Sequence, residues 1–248
     1  MLLARSRLWL LLLGALLTVL LYLLFPAARR SRPDEGKGGW RVGNGTVLTG
    51  MTASDPPVFY REVPAGAAGP GRPQVLFLHG QAFTSKTWET LGTLSLLAEE
   101  GYRAVAIDLP GYGDSPPAHM VTAEGRRNFL DRVLQDLSMQ RPVLVSPSMS
   151  GRFALPFLLA QGDRLAGFVP IAPVGTKDYT AEQYQRVQTP TLILYGDRDK
   201  RLAPQALQNL QHLPEHRVAV LPGAGHACYL DKPEDFHRAL LRFLSQLK

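Results

Sequence analysis

The stretch Val143-Leu144-Val145-Ser146-Pro147-Ser148-Met149-Ser150-Gly151 decides how this chain folds. Three apolar residues of strand type run into a series of small and polar ones, and Met149 to Ala160 then reads as a helix. Small residues stand two positions before and two after Ser148. A nucleophile elbow needs that pattern, because its turn is tight and strained and bulky neighbours would collide. Ser146 and Ser150 occupy the positions that are glycine in the G-x-S-x-G form of the turn. The same residues suit a polar strand-to-helix turn whose serines cap the helix, so the turn alone leaves both readings open.

Outward from this turn the alternation continues. Apolar runs of strand length occur at Val75 to Leu78, Ala104 to Ile107, Phe168 to Ile171, Leu192 to Tyr195 and Val218 to Leu221. Continuous rather than alternating apolarity predicts strands buried on both faces, as in a parallel sheet covered by helices. Helical patterns fall between them at Thr87 to Glu99, Ala123 to Ser138, Pro204 to Leu210 and Pro233 to Leu247. Two earlier extended segments, Thr46 to Met51 and Val58 to Val63, are expected to pair at the sheet's edge, with Ala65 to Pro73 as a loop. The expected fold class is α/β, with a mostly parallel central sheet and helices on both of its faces.

In such sheets ligands bind beyond the carboxyl ends of the strands. Leu192 to Tyr195 leads into Gly196-Asp197-Arg198-Asp199, and Val218 to Leu221 leads into Pro222-Gly223-Ala224-Gly225-His226. A serine hydroxyl is a poor nucleophile at neutral pH and needs a base that is itself held by an acid. Ser148, one of the two aspartates and His226 follow three separate strands in the order Ser, Asp, His, which is more specific than any one of them.

With these residues in view, positions 58 to 248 resemble the α/β-hydrolase family. Leu78-His79-Gly80-Gln81 is similar to its His-Gly oxyanion turn, and Asp108-Leu109-Pro110-Gly111-Tyr112-Gly113-Asp114-Ser115 to its D-x-P-G-x-G-x-S segment. Gly225-His226 followed by Lys232-Pro233-Glu234 resembles its last turn and helix. The resemblance implies a serine hydrolase without cofactor or metal. It implies Ser148 as nucleophile, His226 as base, Asp199 rather than Asp197 as the acid, and backbone N–H groups of Gln81 and Met149 as the oxyanion hole. Asp197 would then cap its turn.

Other polar residues are expected to be structural. His79 would bond its own loop, Asp108 and Ser115 would shape a turn, and Cys228 would be a packed thiol. His119, His212, His216 and His237 have no matching partner in sequence. The interval from Val174 to Pro190 has 17 residues, room for a loop and a short helix around Glu182 to Val187 but not for a cap domain. The site should therefore be open, under loops such as Ala82 to Lys86 and Gly175 to Thr180. It should suit a small acyl group or one carried on a larger partner, including a protein.

The formal charge of +6 is unevenly spread: residues 1 to 41 carry seven bases and two acids, and the rest 20 bases and 19 acids. A nucleic-acid-binding domain would spread its cations over a folded face, so that class is excluded. One cysteine excludes an internal disulfide framework and a Cys-rich zinc site. From Leu8 to Phe25 there are 18 uncharged residues, 11 of them Leu, long enough at about 1.5 Å per residue to cross a bilayer. Residues 1–28 are read as an anchor, 29–45 as a juxtamembrane linker and 46–248 as the hydrolase domain. Flanking arginines would keep the domain cytoplasmic. The sequon Asn44-Gly45-Thr46 favours instead a type II protein with a lumenal or extracellular domain. A cleaved leader releasing a secreted enzyme is the alternative to an anchor. At the level of activity, a silent binding or scaffold module and an acyltransferase are the alternatives to a hydrolase.

Overall fold

The computed structural model describes residues 46–65 and 71–247. Eight strands form one sheet: β1 (Leu48–Met51), β2 (Phe59–Val63), β3 (Val75–Phe77), β4 (Ala104–Ile107), β5 (Val143–Pro147), β6 (Gly167–Ile171), β7 (Thr191–Gly196) and β8 (His216–Leu221). Their order is β1-β2-β4-β3-β5-β6-β7-β8. β1 pairs antiparallel with β2, and β2 with β4, while all later neighbours are parallel. The helices are α1 (Lys86–Thr90), α2 (Thr93–Glu99), α3 (Ala123–Asp136), α4 (Gly151–Gln161), α5 (Ala181–Gln185), α6 (Ala203–Leu210), α7 (Cys228–Asp231) and α8 (Pro233–Leu244).

The uninterrupted apolar strands make sense once both faces are covered. Leu76, Val105, Ile107 and Leu144 point to a core shared with α3 and α4, through Phe129, Val133, Ala154 and Phe157. Their neighbours Val75, Phe77, Ala104, Val143 and Val145 point to a second core with α1, α2 and α8, through Trp88, Leu97, Phe236 and Leu240. Each large side chain buried in this way contributes roughly 1.5–3 kcal/mol, so a polar substitution on either face is costly.

Two expectations differ. The helix expected over Thr87 to Glu99 is broken at Gly92, which adopts φ 76° and starts α2 in a new direction. Trp88, Leu91, Leu94 and Ala98 recur every three or four residues across the break and pack in one core, so periodicity does not register it. The run Val218 to Leu221 is not buried on both faces: Val218 is 44% and Val220 43% exposed. β8 is the sheet's last strand, and α8 covers only the side that carries Leu221. Between β6 and β7 stand one 3₁₀ turn, Thr176–Asp178, and α5, in place of a cap. The segment 1–28, the linker 29–45 and Asn44 lie outside the described residues, within which no helix is long and apolar enough to cross a membrane.

Candidate active site

At the carboxyl end of β5 the chain enters a 3₁₀ turn, Ser148–Ser150, with Ser148 at φ 49°, a left-handed conformation that residues other than glycine rarely adopt. A Cβ at Gly151 would lie 2.4 Å from the Val174 carbonyl oxygen and 2.7 Å from Pro173 Cβ, so that position must be glycine. Ser146 and Ser150, in contrast, are buried and bond each other, Oγ to Oγ at 3.0 Å. Ser150 gives its proton to the Pro147 carbonyl (2.8 Å), so Ser146 is the donor of the pair. The elbow thus uses two hydroxyls where glycines would leave no side chain, and Val174 N–H donates to the Ser148 carbonyl (2.9 Å) to close it.

Two turns from later strands meet Ser148. His226 Nε2 lies 2.8 Å from Ser148 Oγ, and its Nδ1 lies 2.6 Å from Asp199 Oδ2. A carboxylate only accepts, so Nδ1 carries the proton and Nε2 is left to accept from the serine hydroxyl. The second oxygen, Asp199 Oδ1, accepts from the N–H groups of Arg201 (3.1 Å) and Leu202 (3.0 Å). Burial works to raise the Asp199 carboxyl, but the Leu202 N–H, the His226 side chain and the Arg201 N–H together hold it below the ordinary carboxylate range. Asp197 faces elsewhere: its Oδ1 accepts from Gly223 N–H at 2.8 Å.

The loop after β3 supplies the opposite wall. Trp88 Nε1–H donates to the Leu78 carbonyl (2.8 Å), and Phe83 N–H to the Gly80 carbonyl (3.1 Å), forming a tight turn. A Cβ at Gly80 would sit 3.7 Å from Ser148 Cβ, so this backbone packs beside the serine. His79 is a structural bolt: its Nε2 accepts from Leu109 N–H (2.9 Å), which leaves Nδ1–H to donate to the Gly80 carbonyl (2.9 Å). Burial lowers its pKa and keeps it neutral in that role. The Leu109 it holds follows Asp108, whose oxygens accept from Ser85 N–H (2.6 Å) and Asp114 N–H (3.0 Å). Ser115 Oγ donates to the Asp108 carbonyl (2.7 Å), and a Cβ at Gly113 would strike the Asp108 carboxylate at 2.1 Å.

Gln81, Met149, Ser148 and His226 line one pocket of about 300 Å³, at the small end of ligand sites. The side chain of His226 is 40% exposed, so the pocket is open to solvent. A larger cavity, about 580 Å³, lies along β8 and α8 and contains none of these four residues. Phe83, Ile171, Val174 and Tyr229 are among the apolar residues of the smaller pocket, and Arg152 and Arg201 also line it. None of these six was singled out in the sequence. Arg152 sits directly after Gly151 and Arg201 two residues after Asp199, and that adjacency was the available signal. Cys228, two residues from His226, is buried, and burial pushes its thiol up to about 12. His237 is buried against Thr93, Nε2 to Oγ1 at 2.8 Å, a partner that lies 144 residues away in the chain.

The description "Alpha/beta hydrolase family" matches residues 75–178. The chain is 56% identical over 237 residues to "Protein ABHD14A" of Mus musculus, an overlap of 95% of this chain and 94% of that protein. It is 49% identical over 194 residues to "Putative protein-lysine deacylase ABHD14B" of Homo sapiens, covering 77% of this chain and 91% of that one. The crystal structure described as that of a "predicted CIB-like hydrolase" from Thermoplasma acidophilum superposes with a TM-score of 0.75 at 22% identity, over 82% of this chain and 100% of that one. At that identity the likeness speaks to the fold alone.

Proposed function

The chain belongs to the alpha/beta hydrolase family, and on that premise we propose that it is a serine hydrolase acting on acyl substrates through Ser148, His226 and Asp199. The observation that carries the proposal is the pair of short contacts by which His226 joins Ser148 (2.8 Å) to Asp199 (2.6 Å). Ser148 Oγ attacks the acyl carbon as its proton passes to His226 Nε2, and Asp199 stabilises the imidazolium. The tetrahedral oxyanion would be held by the N–H groups of Gln81 and Met149, both beside Ser148 in the pocket. As the bond to the leaving group breaks, His226 returns the proton to it. Water then attacks the acyl-serine by the same relay, yielding the free acid and restoring the hydroxyl.

Ser138, Arg141 and Ala172 also adopt positive φ, so it is the coincidence of that conformation with the His226 contact at Ser148, and not strain alone, that favours an enzyme over a silent scaffold. An open pocket of this size suits a short acyl group on an ester, thioester or amide. The name of the human relative supplies one such class, acyl groups on protein lysines. The open site also admits an acceptor other than water, which is the acyltransferase form of the same chemistry. The proposal includes Leu8 to Phe25 as a membrane anchor, followed by the linker 29–45, with the domain from residue 46 on the lumenal side.

The test is labelling by a fluorophosphonate probe, which reacts with activated serines. The intact protein is expected to label and Ser148→Ala not to; label that persists in Ser148→Ala, or none in folded protein, overturns the assignment.

A further inference from the structure

We propose that the pocket selects acyl substrates bearing a carboxylate or phosphate near the scissile bond, with Arg152 and Arg201 as the residues that read it; this rests on the hydrolase reading above. Both residues line the same pocket as Ser148 and His226, and no Asp or Glu lines it among the described residues. Two acids of the flanking turns already accept hydrogen bonds. Asp199 is taken by His226 and two backbone N–H groups, and Asp231 Oδ2 accepts from Gly225 N–H at 2.7 Å.

Among the described residues, some surface arginines find carboxylates and others, such as Arg132, Arg186 and Arg242, do not, so it is their place in the pocket that sets Arg152 and Arg201 apart. Arg127 pairs with Glu124 at 3.5 Å and Arg238 with Asp235 at 2.8 Å, while no ion pair or side-chain hydrogen bond joins Arg152 or Arg201 to another described residue. Helix stability does not account for Arg152 either. It occupies the first turn of α4, where the helix dipole disfavours a cation, and no acidic residue in that turn offsets it. Nor does overall charge, because residues 42 to 248 hold 20 bases against 19 acids. Two arginines lining one small open pocket, with no acid in its lining, therefore place a local positive field beside the acyl group or its leaving group. Guanidinium is the side chain best shaped to grip a carboxylate or phosphate through paired N–H donors.

The anion can belong to the acyl chain or to the leaving group, and the substrates separate the two. Hydrolysis of mono-4-nitrophenyl adipate (anion on the acyl side) and 3-carboxy-4-nitrophenyl hexanoate (anion on the leaving group) is compared with that of neutral 4-nitrophenyl hexanoate. One anionic ester is expected to have the higher kcat/KM, and its advantage is expected to fall at least tenfold in the Arg152→Gln/Arg201→Gln double variant and to shrink with added salt. A second measurement does not depend on turnover: titration of the Ser148→Ala protein with adipic monoamide and with hexanamide. Tighter binding of the charged ligand, lost when both arginines are also replaced, supports the proposal even if no ester is cleaved, in which case only the hydrolase reading fails. Equal binding of the two amides together with no preference for either anionic ester, or an anionic preference that survives the double variant, overturns it.

Discussion

Replacing Asp199 by Asn isolates the relay from the fold. Asp199 Oδ1 accepts two backbone N–H groups, from Arg201 and Leu202, and Oδ2 accepts from His226 Nδ1–H. In Asp199→Asn the amide oxygen takes the first position, because an NH₂ there would face two donors. The NH₂ then points at His226 Nδ1 and can only donate to it. Nδ1 must give up its proton, the imidazole shifts to the tautomer with the proton on Nε2, and the Ser148 hydroxyl meets a donor in place of a base. The shape and all but one of the hydrogen bonds survive, so unfolding should change little. Turnover should fall by about 10⁴, as tautomer reversal does in serine triads, equivalent to about 5 kcal/mol of lost transition-state stabilisation. The assay is kcat/KM on a 4-nitrophenyl ester, alongside thermal unfolding. Asp197→Asn is the control: its carbonyl oxygen can still accept from Gly223 N–H, so activity should stay within a few-fold. Retention of more than a tenth of the activity by Asp199→Asn, or equal damage from Asp197→Asn, would refute the tautomer argument.

Two further outcomes are expected. His237, buried against Thr93, has its pKa lowered by burial from 6.5 to about 4. It therefore takes up a proton more readily unfolded than folded, and its contribution to stability is complete above about pH 6.5, falls as pH drops toward 4 and levels off below. The loss is at most about 3 kcal/mol, and denaturant unfolding at several pH values should show a shallower slope for His237→Gln; identical slopes would count against a buried neutral imidazole. At the other end of the chain, a lumenal domain with glycosylated Asn44 predicts a mobility shift on glycosidase treatment that Asn44→Gln abolishes. No shift in the expressed protein would argue for the cytoplasmic orientation.

The parallel strands were legible because burial on both faces forces an uninterrupted apolar run, a signal that survives without knowing any neighbour. That same rule misjudged Val218 and Val220, since an apolar run does not say whether a helix covers its second face. Ser148, the two aspartates and His226 were legible from their positions just past strand ends. The turn after β7 held two aspartates of the same type, and choosing between them depended on a resemblance, because the direction in which a turn points each side chain is set by what it packs against. Arg152 and Arg201 were not legible as pocket residues for a related reason. Arginines are common on surfaces, and only the convergence of the α4 and α6 ends on one pocket distinguishes these two.

By itself the sequence determined what local rules can encode: the period of each segment, the small residues an elbow requires at positions 146 and 150, and the order of Ser148, the two aspartates and His226 along the chain. The tertiary structure decided what depends on residues far apart meeting. His226 reaches a serine 78 positions away and an aspartate 27 away, and those two distances fix its tautomer. A hydrogen bond is directional and short, so it forms only after the parallel sheet has set the strand ends side by side, and no local property of His226 carries that information.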